Sequence, residues 1–437
     1  MKITKSVSLC LVLLLLLGTV TFALSGCKLF YKFVPVIRFA VASDVHVRDE
    51  GSDVEEARLM KMIGMAYAHA EKNRKYKDLD AVLFVGDFTQ DGSPTSMQKF
   101  KSIVDANVRE GTEAIVSLGN HEFFSDEANT VENYERVFGK KDDEHLVIDG
   151  FHFIKLSPTR ERFSEEKLTW LRAELEEAKL DTPDRPIFVM QHHNAAGTIY
   201  GSTGWSAPGI YEVLADYPQV VDFSGHSHFP IQDERSLWQG EFTAIGTGTL
   251  SYVEMGLNEV STDYVFPIGQ DGDYRVGQSS GERDYGVFQI VECDRDGNVR
   301  LTGYDITSGT LLFEREFSTD KDSFVTNDYK AEHTAIPRFP LLAKCTYTTD
   351  EGGDVLISVP QARSKDYIES YRAKVYCDGV TVGVFYALSG QIFIPTPSRV
   401  SVRISGLEAG KEYKVEIYAV NAYGRECKKP LTLTVIP

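Results

Sequence analysis

The sequence predicts an α/β domain followed by a small all-β sandwich. From residue 36 onward, apolar runs of strand length alternate with amphipathic stretches of helical period, which is the pattern of a layered α/β domain. After about residue 335 the helical stretches disappear, and short alternating strands fill the rest of the chain. We therefore divide the chain into an N-terminal segment of residues 1–26, a large domain of residues 36–330 and a C-terminal domain of residues 338–437.

The large domain contains five apolar runs that are rich in β-forming residues. These runs are Val36–Ala42, Leu79–Val85, Ala114–Leu118, Ile187–Met190 and Val220–Phe223. Amphipathic stretches predict helices over Asp53–Asn73, Pro94–Arg109 and Ser164–Ala178. Three later runs predict strands that extend the sheets of this domain, namely Phe242–Leu250, Gly286–Glu292 and Val299–Ile306.

The C-terminal domain shows the two-residue period of half-buried strands. Apolar and polar side chains alternate over residues 371–377 and again over residues 413–419. Asp378-Gly379 predicts a tight turn after the first of these strands. Cys345, Cys377 and Cys427 leave one disulfide open as an alternative to free core thiols.

The charge of the chain limits its partners. The 437 residues carry 46 Lys and Arg against 64 Asp and Glu, a net charge of −18. Loss of residues 1–26, which contain Lys2, Lys5 and no acid, leaves −20. Such a surface repels polyanions, so we expect no broad nucleic-acid binding. A small phosphate compound remains a suitable substrate because bound cations can reverse the local field.

The N-terminal segment has the features of a secretory signal. A short basic start is followed by an apolar run over residues 7–20, which is shorter than the roughly 20 residues needed to cross a bilayer. It ends in Leu24-Ser25-Gly26-Cys27, which resembles the bacterial lipobox. That resemblance implies cleavage before Cys27, lipidation of its thiol and an extracytoplasmic protein anchored to the bacterial membrane. The alternatives are a retained membrane helix and an ordinary signal with a chance cysteine.

Polar residues that suit metal binding follow each of the five apolar runs. They are Asp44 and His46, then Asp87, then Asn120 with His121 and Glu122, then His192 with His193, and finally His226 and His228. Ligand sites of open α/β sheets lie beyond the carboxyl ends of the strands, so we expect these five loops to converge. Carboxylate, imidazole and amide ligands without a thiolate suit two divalent ions such as Mn, Fe or Zn.

This ordered set resembles the calcineurin-like metallophosphoesterase family over roughly residues 36–326, with D-x-H, G-D, G-N-H-[ED], H and G-H-x-H all present. The resemblance implies a layered α/β/β/α domain and hydrolysis of a phosphate ester by a hydroxide bound at a two-metal centre. It implies two sets of ligands that share Asp87 as a bridge. The first set is Asp44, His46, Asp87 and His228, and the second is Asp87, Asn120, His192 and His226. His192 is preferred over His193 because the family ligand is normally the first histidine of such a pair.

The same resemblance gives His121 a catalytic role. We expect its ring to face the substrate and to stabilise or protonate the leaving oxygen, with Glu122 orienting the ring or forming a surface salt bridge. Tyr200 and Trp205 either form an aromatic wall over the substrate or pack within their own loop.

The sequence gives less evidence for the substrate class than for the metal ligands. Purple acid phosphatases have a metal-binding Tyr three residues after the second-motif Asp, where this chain has Gln90. The run from Gly86 to Gly92 looks more like the phosphodiesterase branch, and a phosphomonoesterase is the alternative. A third hypothesis is an inactive surface-binding protein.

The C-terminal domain resembles fibronectin type III modules. The run from Ile404 to Tyr413 carries the resemblance, with Tyr413 at the tyrosine-corner position, although Val359 stands where the family often has Trp. Such a module can act as a spacer or can bind a cell-surface partner.

Overall fold

The computed structural model describes residues 32–160, 162–202, 206–254, 275–276, 285–324 and 331–437. The signal-like segment and Cys27 lie outside the described residues, as does Trp205. None of the described helices is long and apolar enough to cross a membrane.

The large domain is built on two six-stranded sheets. The first has the strand order β14-β13-β12-β1-β2-β3 and the second has the order β4-β5-β6-β7-β9-β8. The strands of the first sheet are β1 (Ile37–Ala42), β2 (Ala81–Val85), β3 (Glu113–Ser117), β12 (Val287–Cys293), β13 (Asn298–Asp305) and β14 (Leu311–Ser318). The strands of the second are β4 (Glu144–Ile148), β5 (Phe151–Lys155), β6 (Ile187–Met190), β7 (Val220–Ser224), β8 (Leu237–Gln239) and β9 (Thr243–Gly246). A separate two-stranded sheet pairs β10 (Val253–Glu254) with β11 (Arg275–Val276).

The two sheets pack face to face, and helices cover their outer faces. Phe39, Phe153, Phe188 and Phe223 meet edge to face between the sheets, with ring centroids 4.8–5.9 Å from that of Phe39. Three helices pack on the first sheet, namely α1 (Asp53–Ala70), α2 (Pro94–Asn107) and α3 (Thr130–Phe138). Two helices pack on the second, namely α4 (Glu165–Asp181) and α5 (Ile210–Leu214). The layers therefore run α/β/β/α, which confirms the predicted fold class.

The strand directions bring the predicted loops together. β1 pairs in parallel with β2, and β2 with β3, while β6 pairs in parallel with β7. The carboxyl ends of β1, β2 and β3 therefore lie at one edge of the first sheet, and those of β6 and β7 lie at the matching edge of the second. The helix between β5 and β6 begins as predicted, with the Ser164 hydroxyl accepting a hydrogen bond from the backbone of Lys167.

The C-terminal region is all-β. A three-stranded sheet of order β15-β16-β19 and a four-stranded sheet of order β18-β17-β20-β21 enclose one apolar core. The strands are β15 (Thr346–Thr349), β16 (Val355–Pro360), β17 (Ile368–Cys377), β18 (Val380–Leu388), β19 (Arg399–Ile404), β20 (Tyr413–Asn421) and β21 (Leu431–Val435). The Tyr413 hydroxyl accepts from the backbone nitrogen of Glu408 at 3.0 Å. All four described cysteines are free thiols.

A buried charged contact joins the two regions. The Arg235 guanidinium donates to Glu369 at 2.9 Å and to both carboxylate oxygens of Asp233, and all three side chains are buried. We call the contact between Arg235 and Glu369 the interdomain ion pair. The Tyr200 ring lies 3.7 Å from the guanidinium carbon, and its hydroxyl is 3.3 Å from Glu369. A small apolar cluster that includes Ile231 and Tyr367 also joins the two regions.

Candidate metal centre

The predicted ligands converge at the shared edge of the two sheets. The side chains form two groups, and within each group the candidate ligand atoms lie within 4.8 Å of one another. The first group is Asp44, His46, Asp87 and His228, and the second is Asp87, His192 and His226. Asp87 belongs to both groups, which is the arrangement that a carboxylate bridging two cations requires.

Short contacts between ligand atoms define the two groups. His192 Nε2 lies 3.0 Å from Asp87 Oδ2, and His228 Nε2 lies 3.1 Å from Asp44 Oδ1. His46 Nε2 lies 3.2 Å from His228 Nε2. Both carboxylates are also fixed from the backbone, because Asp87 Oδ1 accepts from the nitrogen of His121 at 2.9 Å and Asp44 accepts from that of His226. One oxygen of Asp87 is thus held by the protein while the other faces the histidines.

The ring orientations of two histidines are set by backbone carbonyls. His192 Nδ1 donates to the carbonyl of Val85 at 2.9 Å, and His228 Nδ1 donates to that of Tyr252 at 2.9 Å. A proton placed on Nδ1 leaves Nε2 as the free donor of an electron pair, which is the form that binds a metal ion. Both Nε2 atoms point into the ligand groups.

Five ligand residues adopt left-handed backbone conformations that non-glycine residues rarely use. Asp44, His46, Asp87, His226 and His228 have φ values between 49° and 67°. Such conformations cost on the order of 1 kcal/mol or more per residue and persist only where the surrounding structure enforces them. Here the unusual backbone turns side chains of different strands toward one point.

The electrostatics of the cluster are dominated by burial and by the two carboxylates. Burial lowers the pKa of His46 and His226 well below the usual value, and neighbouring imidazoles lower it further. For His192, burial is outweighed by Asp87 and Asp44, which raise its pKa to about 9. Burial raises the pKa of Asp87, but His192 and the other imidazoles outweigh it and hold that pKa well below its ordinary value. The two carboxylates therefore favour positive charge at His192, whereas His46 and His226 are held in their neutral forms.

The donor set fits a pair of divalent cations. Asn120 Oδ1 and His46 Nδ1 are buried and have no hydrogen-bond partner among the described residues. A buried acceptor without a partner costs free energy, and a bound cation supplies the missing partner for an amide oxygen. Asn120 follows β3 and is the fourth residue of the predicted second set of ligands. Oxygen and imidazole ligands without thiolate suit Mn, Fe or Zn.

His121 lies beside the ligands. Its Nδ1 donates to the backbone carbonyl of Gln90 at 2.8 Å, and its Nε2 lies 3.9 Å from Asp87 Oδ2. The ring stands edge to face against His46, with centroids 4.5 Å apart. With its side chain 17% exposed, His121 can contact both a substrate and solvent, whereas the candidate ligands other than His226 are buried.

Glu122 does not orient His121 and forms no surface salt bridge, so both alternatives from the sequence are wrong. Its buried carboxylate accepts from the backbone nitrogens of Asp87 at 3.0 Å, Gly119 at 2.7 Å and Thr89 at 2.8 Å. The Thr89 hydroxyl also donates to it at 2.8 Å. Burial and the Asp87 carboxylate raise the pKa of Glu122, whereas the hydrogen bonds from Thr89 and Gly119 lower it, and all four polar contacts are donors that a carboxylate anion accepts from. We therefore assign the anion, which clamps two ligand loops together.

Glycines beside the ligands allow the loops to approach closely. Gly86 has a φ of +74°, and a Cβ atom there would lie 2.4 Å from His192 Nδ1. A Cβ atom on Gly119 would lie 2.2 Å from Asp87 Oδ1. Side chains at either position are incompatible with the observed placement of the ligands.

The structure places His193 and Tyr200, which lie in the loop after β6, in different surroundings. His193 is buried 4.4 Å, ring to ring, from His226, and both of its nitrogens lack hydrogen-bond partners among the described residues. His192, rather than His193, joins the ligand group. Tyr200 packs on Phe229 and Arg235 in the contact between the two regions, so it forms no wall over the substrate.

Sequence reasoning missed the loop after β9. Thr249 Oγ1 donates to the Asp44 carbonyl at 3.2 Å, and the Ser43 hydroxyl lies 2.6 Å from Thr247 Oγ1. The Tyr252 ring lies 4.2 Å from the His228 ring, centroid to centroid. This loop contains no His, Asp or Asn, and the sequence predicts it as part of a strand over Phe242–Leu250, but the Gly-Thr-Gly-Thr run at residues 246–249 was an available signal that the strand ends earlier.

Comparison with known proteins agrees with this geometry. Residues 37–230 match the family model described as calcineurin-like phosphoesterase. A probable cyclic nucleotide phosphodiesterase of Synechococcus sp. is 28% identical over 171 residues, which are 36% of this chain and 60% of that protein. This chain thus matches less than two thirds of that relative's length.

Two solved structures are similar in parts. The purple acid phosphatase from yellow lupin (Lupinus luteus) seeds has 11% identity and a TM-score of 0.43, covering 64% of this chain and 53% of that chain. The structure of PhoD has 12% identity and a TM-score of 0.39, covering 68% of this chain and 72% of that chain. From the family match, residues 37–230 form a calcineurin-like phosphoesterase domain.

Proposed function

We propose that this chain is a metal-dependent phosphoric ester hydrolase that prefers phosphodiesters and works outside the cytoplasm on a bacterial membrane. The observation that carries the proposal is the buried Asp87, whose carboxylate belongs to two groups of candidate metal ligands. A bridging carboxylate between two cation sites is the arrangement that two-metal hydrolysis needs.

The proposed ligands divide between two cations that share Asp87. One would be held by Asp44, His46, Asp87 and His228, and the other by Asp87, Asn120, His192 and His226. When bound, such a pair activates a water molecule and neutralises charge on the phosphoryl oxygens. The protein contributes ring tautomers fixed by backbone carbonyls and backbone hydrogen bonds that hold the two ligand carboxylates.

His121 is the proposed proton donor to the leaving oxygen. Its Nδ1 proton is held by the carbonyl of Gln90, so Nε2 is the ring atom that exchanges a proton with the substrate. That atom lies on the Asp87 side of the ring, next to the candidate cation sites. An imidazole that is partly exposed and pre-oriented suits general acid catalysis.

Two observations favour a diester over a monoester. The sequence from Gly86 to Gly92 has the form seen in the phosphodiesterase branch, with Gln90 in place of a metal-binding Tyr. The matched relative from Synechococcus is a probable cyclic nucleotide phosphodiesterase. A phosphomonoesterase of the same family is the second candidate.

The first test compares a nitrophenyl monoester with a nitrophenyl diester, using protein that has been stripped of metal and then supplied with Mn, Fe(II) or Zn. We expect metal-dependent turnover, two metals per chain by elemental analysis and faster cleavage of the diester. His121→Ala should keep both metals and lose most turnover. Asp87→Ala should lose both metals and its turnover. Full turnover by Asp87→Ala would contradict the bridging assignment.

The same measurement separates an enzyme from an inactive surface-binding protein. A protein that only binds a partner has no need of two metals at a centre with a pre-oriented proton donor. Absence of bound metal and of turnover with every ion would therefore favour the binding protein.

The proposal also covers the two ends of the chain. The lipobox-like Leu24-Ser25-Gly26-Cys27 supports a lipid anchor on Cys27. The hydrogen bond from Glu408 N to the Tyr413 hydroxyl supports a fibronectin type III-like fold for the C-terminal domain, because a tyrosine corner makes such a contact. A cell-surface partner of this domain remains part of the proposal, and mass analysis of the Cys27 peptide tests the anchor.

A further inference from the structure

A dense group of basic side chains lies at the end of the first sheet that is opposite the metal centre. Lys72, Arg74, Lys75 and Lys77 occupy the loop between α1 and β2, and all four are exposed. No acid stands among residues 72–77, although the chain as a whole carries a net charge of −18. We call these four residues the basic loop.

The basic loop is fixed to the start of β1. The buried Arg38 donates to the backbone carbonyls of Tyr76 at 2.7 Å and Asp78 at 3.3 Å. Its guanidinium carbon also lies 4.4 Å from the Tyr76 ring centroid. The backbone nitrogen of Asp80 donates to the Arg38 carbonyl at 2.8 Å, and the backbone nitrogen of Arg38 donates to the Asp80 carboxylate at 2.7 Å. The loop therefore has a defined place on the fold.

Three acidic side chains at this end pair with cations outside the basic loop. Glu71 and Asp78 both pair with Arg109, at 2.6 Å and 3.5 Å. Glu292 pairs with Arg38 at 2.7 Å and with Arg300 at 3.7 Å. None of the four basic-loop side chains forms an ion pair with another described residue, so their charge is available to an external partner.

The position of the described N-terminus indicates which partner that is. Lys32 and Phe33 line the same surface depression as Lys72 and Arg74. Cys27 precedes Lys32 by five residues, and five residues span at most about 18 Å. A lipid on Cys27 therefore places this end of the domain close to the bilayer, where a surface of anionic headgroups attracts basic side chains.

We propose that the basic loop docks on an anionic lipid surface and turns the metal centre away from the membrane. The inference rests on the lipid anchor of the proposed function. β1 has six residues between this loop and the ligand-bearing loop that follows it. At about 3.3 Å per residue, the strand separates the docked face from the metal centre by about 20 Å. Substrate then reaches the centre from the side that is remote from the bilayer.

Amine labelling of the full chain on vesicles tests this orientation. The chain is placed on vesicles of phosphatidylglycerol with phosphatidylcholine or of phosphatidylcholine alone, and its lysines are modified by a water-soluble reagent and quantified by mass spectrometry. On anionic vesicles we expect the reactivity of Lys72, Lys75 and Lys77 to fall by about fivefold and to recover in 0.5 M salt. Lys428 and Lys429, which are exposed on the C-terminal domain, serve as the internal control and should change by less than about twofold.

A matched pair of variants tests the charge itself. Arg74→Glu with Lys75→Glu should abolish the protection of Lys72 and Lys77, whereas Lys428→Glu with Lys429→Glu, which changes the net charge equally, should preserve it. Equal labelling of Lys72 on both vesicle types, or equal loss in both variants, would overturn the proposal.

The labelling does not depend on turnover, so an inactive enzyme leaves its outcome unchanged. A missing acyl mass on the Cys27 peptide reports failure of the anchor separately. On chain without lipid, protection of the basic loop by anionic vesicles at low salt still supports the docking face, and its absence there contradicts it.

Discussion

Replacing Glu122 by Gln tests the role of the ionised carboxylate beside the metal centre. Each carboxylate oxygen accepts two donors: Oε2 accepts from the nitrogens of Asp87 and Gly119, and Oε1 accepts from the nitrogen and hydroxyl of Thr89. Glutamine keeps the shape but has only one oxygen. Whichever way the amide is turned, its NH2 group faces two donors in a site from which water is excluded.

The expected loss in the free energy of unfolding follows from those four hydrogen bonds. Two hydrogen bonds to a charged acceptor are lost, and two buried donors are left unpaired at on the order of 1–3 kcal/mol each. We therefore expect Glu122→Gln to lower the free energy of unfolding by about 2–6 kcal/mol. Weaker metal binding should accompany this loss, because the carboxylate fixes the backbone of the bridging Asp87.

Urea unfolding followed by circular dichroism, with and without metal, measures the effect. Glu56→Gln is the matched control, because Glu56 accepts from Ser52 at 2.7 Å and Lys99 at 3.0 Å with its side chain 23% exposed. A partly exposed pair contributes up to about 1 kcal/mol. If Glu122→Gln unfolds at the same urea concentration as the control, the assignment of Glu122 as an ionised clamp is wrong.

Three further substitutions test other features. Gly86→Ala should lose the second metal, as measured by elemental analysis, because its Cβ would overlap the His192 ring. Gly64→Ala is the control: no atom lies within 4 Å of its Cβ, and it should stabilise α1 by up to about 1 kcal/mol. Burial raises the pKa of Asp222 to about 8, so the native state keeps a proton that the unfolded chain loses near pH 4, and stability falls as pH rises through this window. Asp222→Asn should therefore flatten the pH dependence of the unfolding temperature, with its largest gain near pH 8. Glu369→Gln weakens the interdomain ion pair and should cost about 1.5–3 kcal/mol by denaturant unfolding, and an unchanged midpoint would refute that contact's contribution.

The sequence alone predicted the strands and helices whose signal is a local pattern of residues. The strand Ile187–Met190 was predicted at its observed bounds, and helix α1 was predicted from Asp53, although it ends three residues earlier than expected. Sequence patterns did not predict α3 or the hairpin of β4 and β5. Asp149-Gly150 marks that hairpin, but its strands carry mixed polar side chains and β4 lies at the sheet edge, so their alternation is weak.

Interactions between distant segments could not be predicted in this way. The direction of the Glu122 side chain depends on how the loop after β3 folds back on the loop after β2, which no residue pattern specifies. Arg235 and Glu369 are 134 residues apart in sequence, and their pairing requires the packing of one region on the other. Likewise, the loop after β9 supports Asp44 through hydroxyl groups that are common in any loop.

The left-handed backbone of the ligands has a consequence for how this chemistry could be lost over generations. Asp44, His46, Asp87, His226 and His228 occupy conformations that Gly, Asn and Asp tolerate, and in which β-branched residues are strongly disfavoured. A duplicated copy released from selection for turnover would retain its fold most readily by exchanging ligands for Asn or Gly. Its inactive descendants should therefore carry Asn or Gly at these positions. Loss of activity in a related protein could then be inferred from the sequences of its ligand loops.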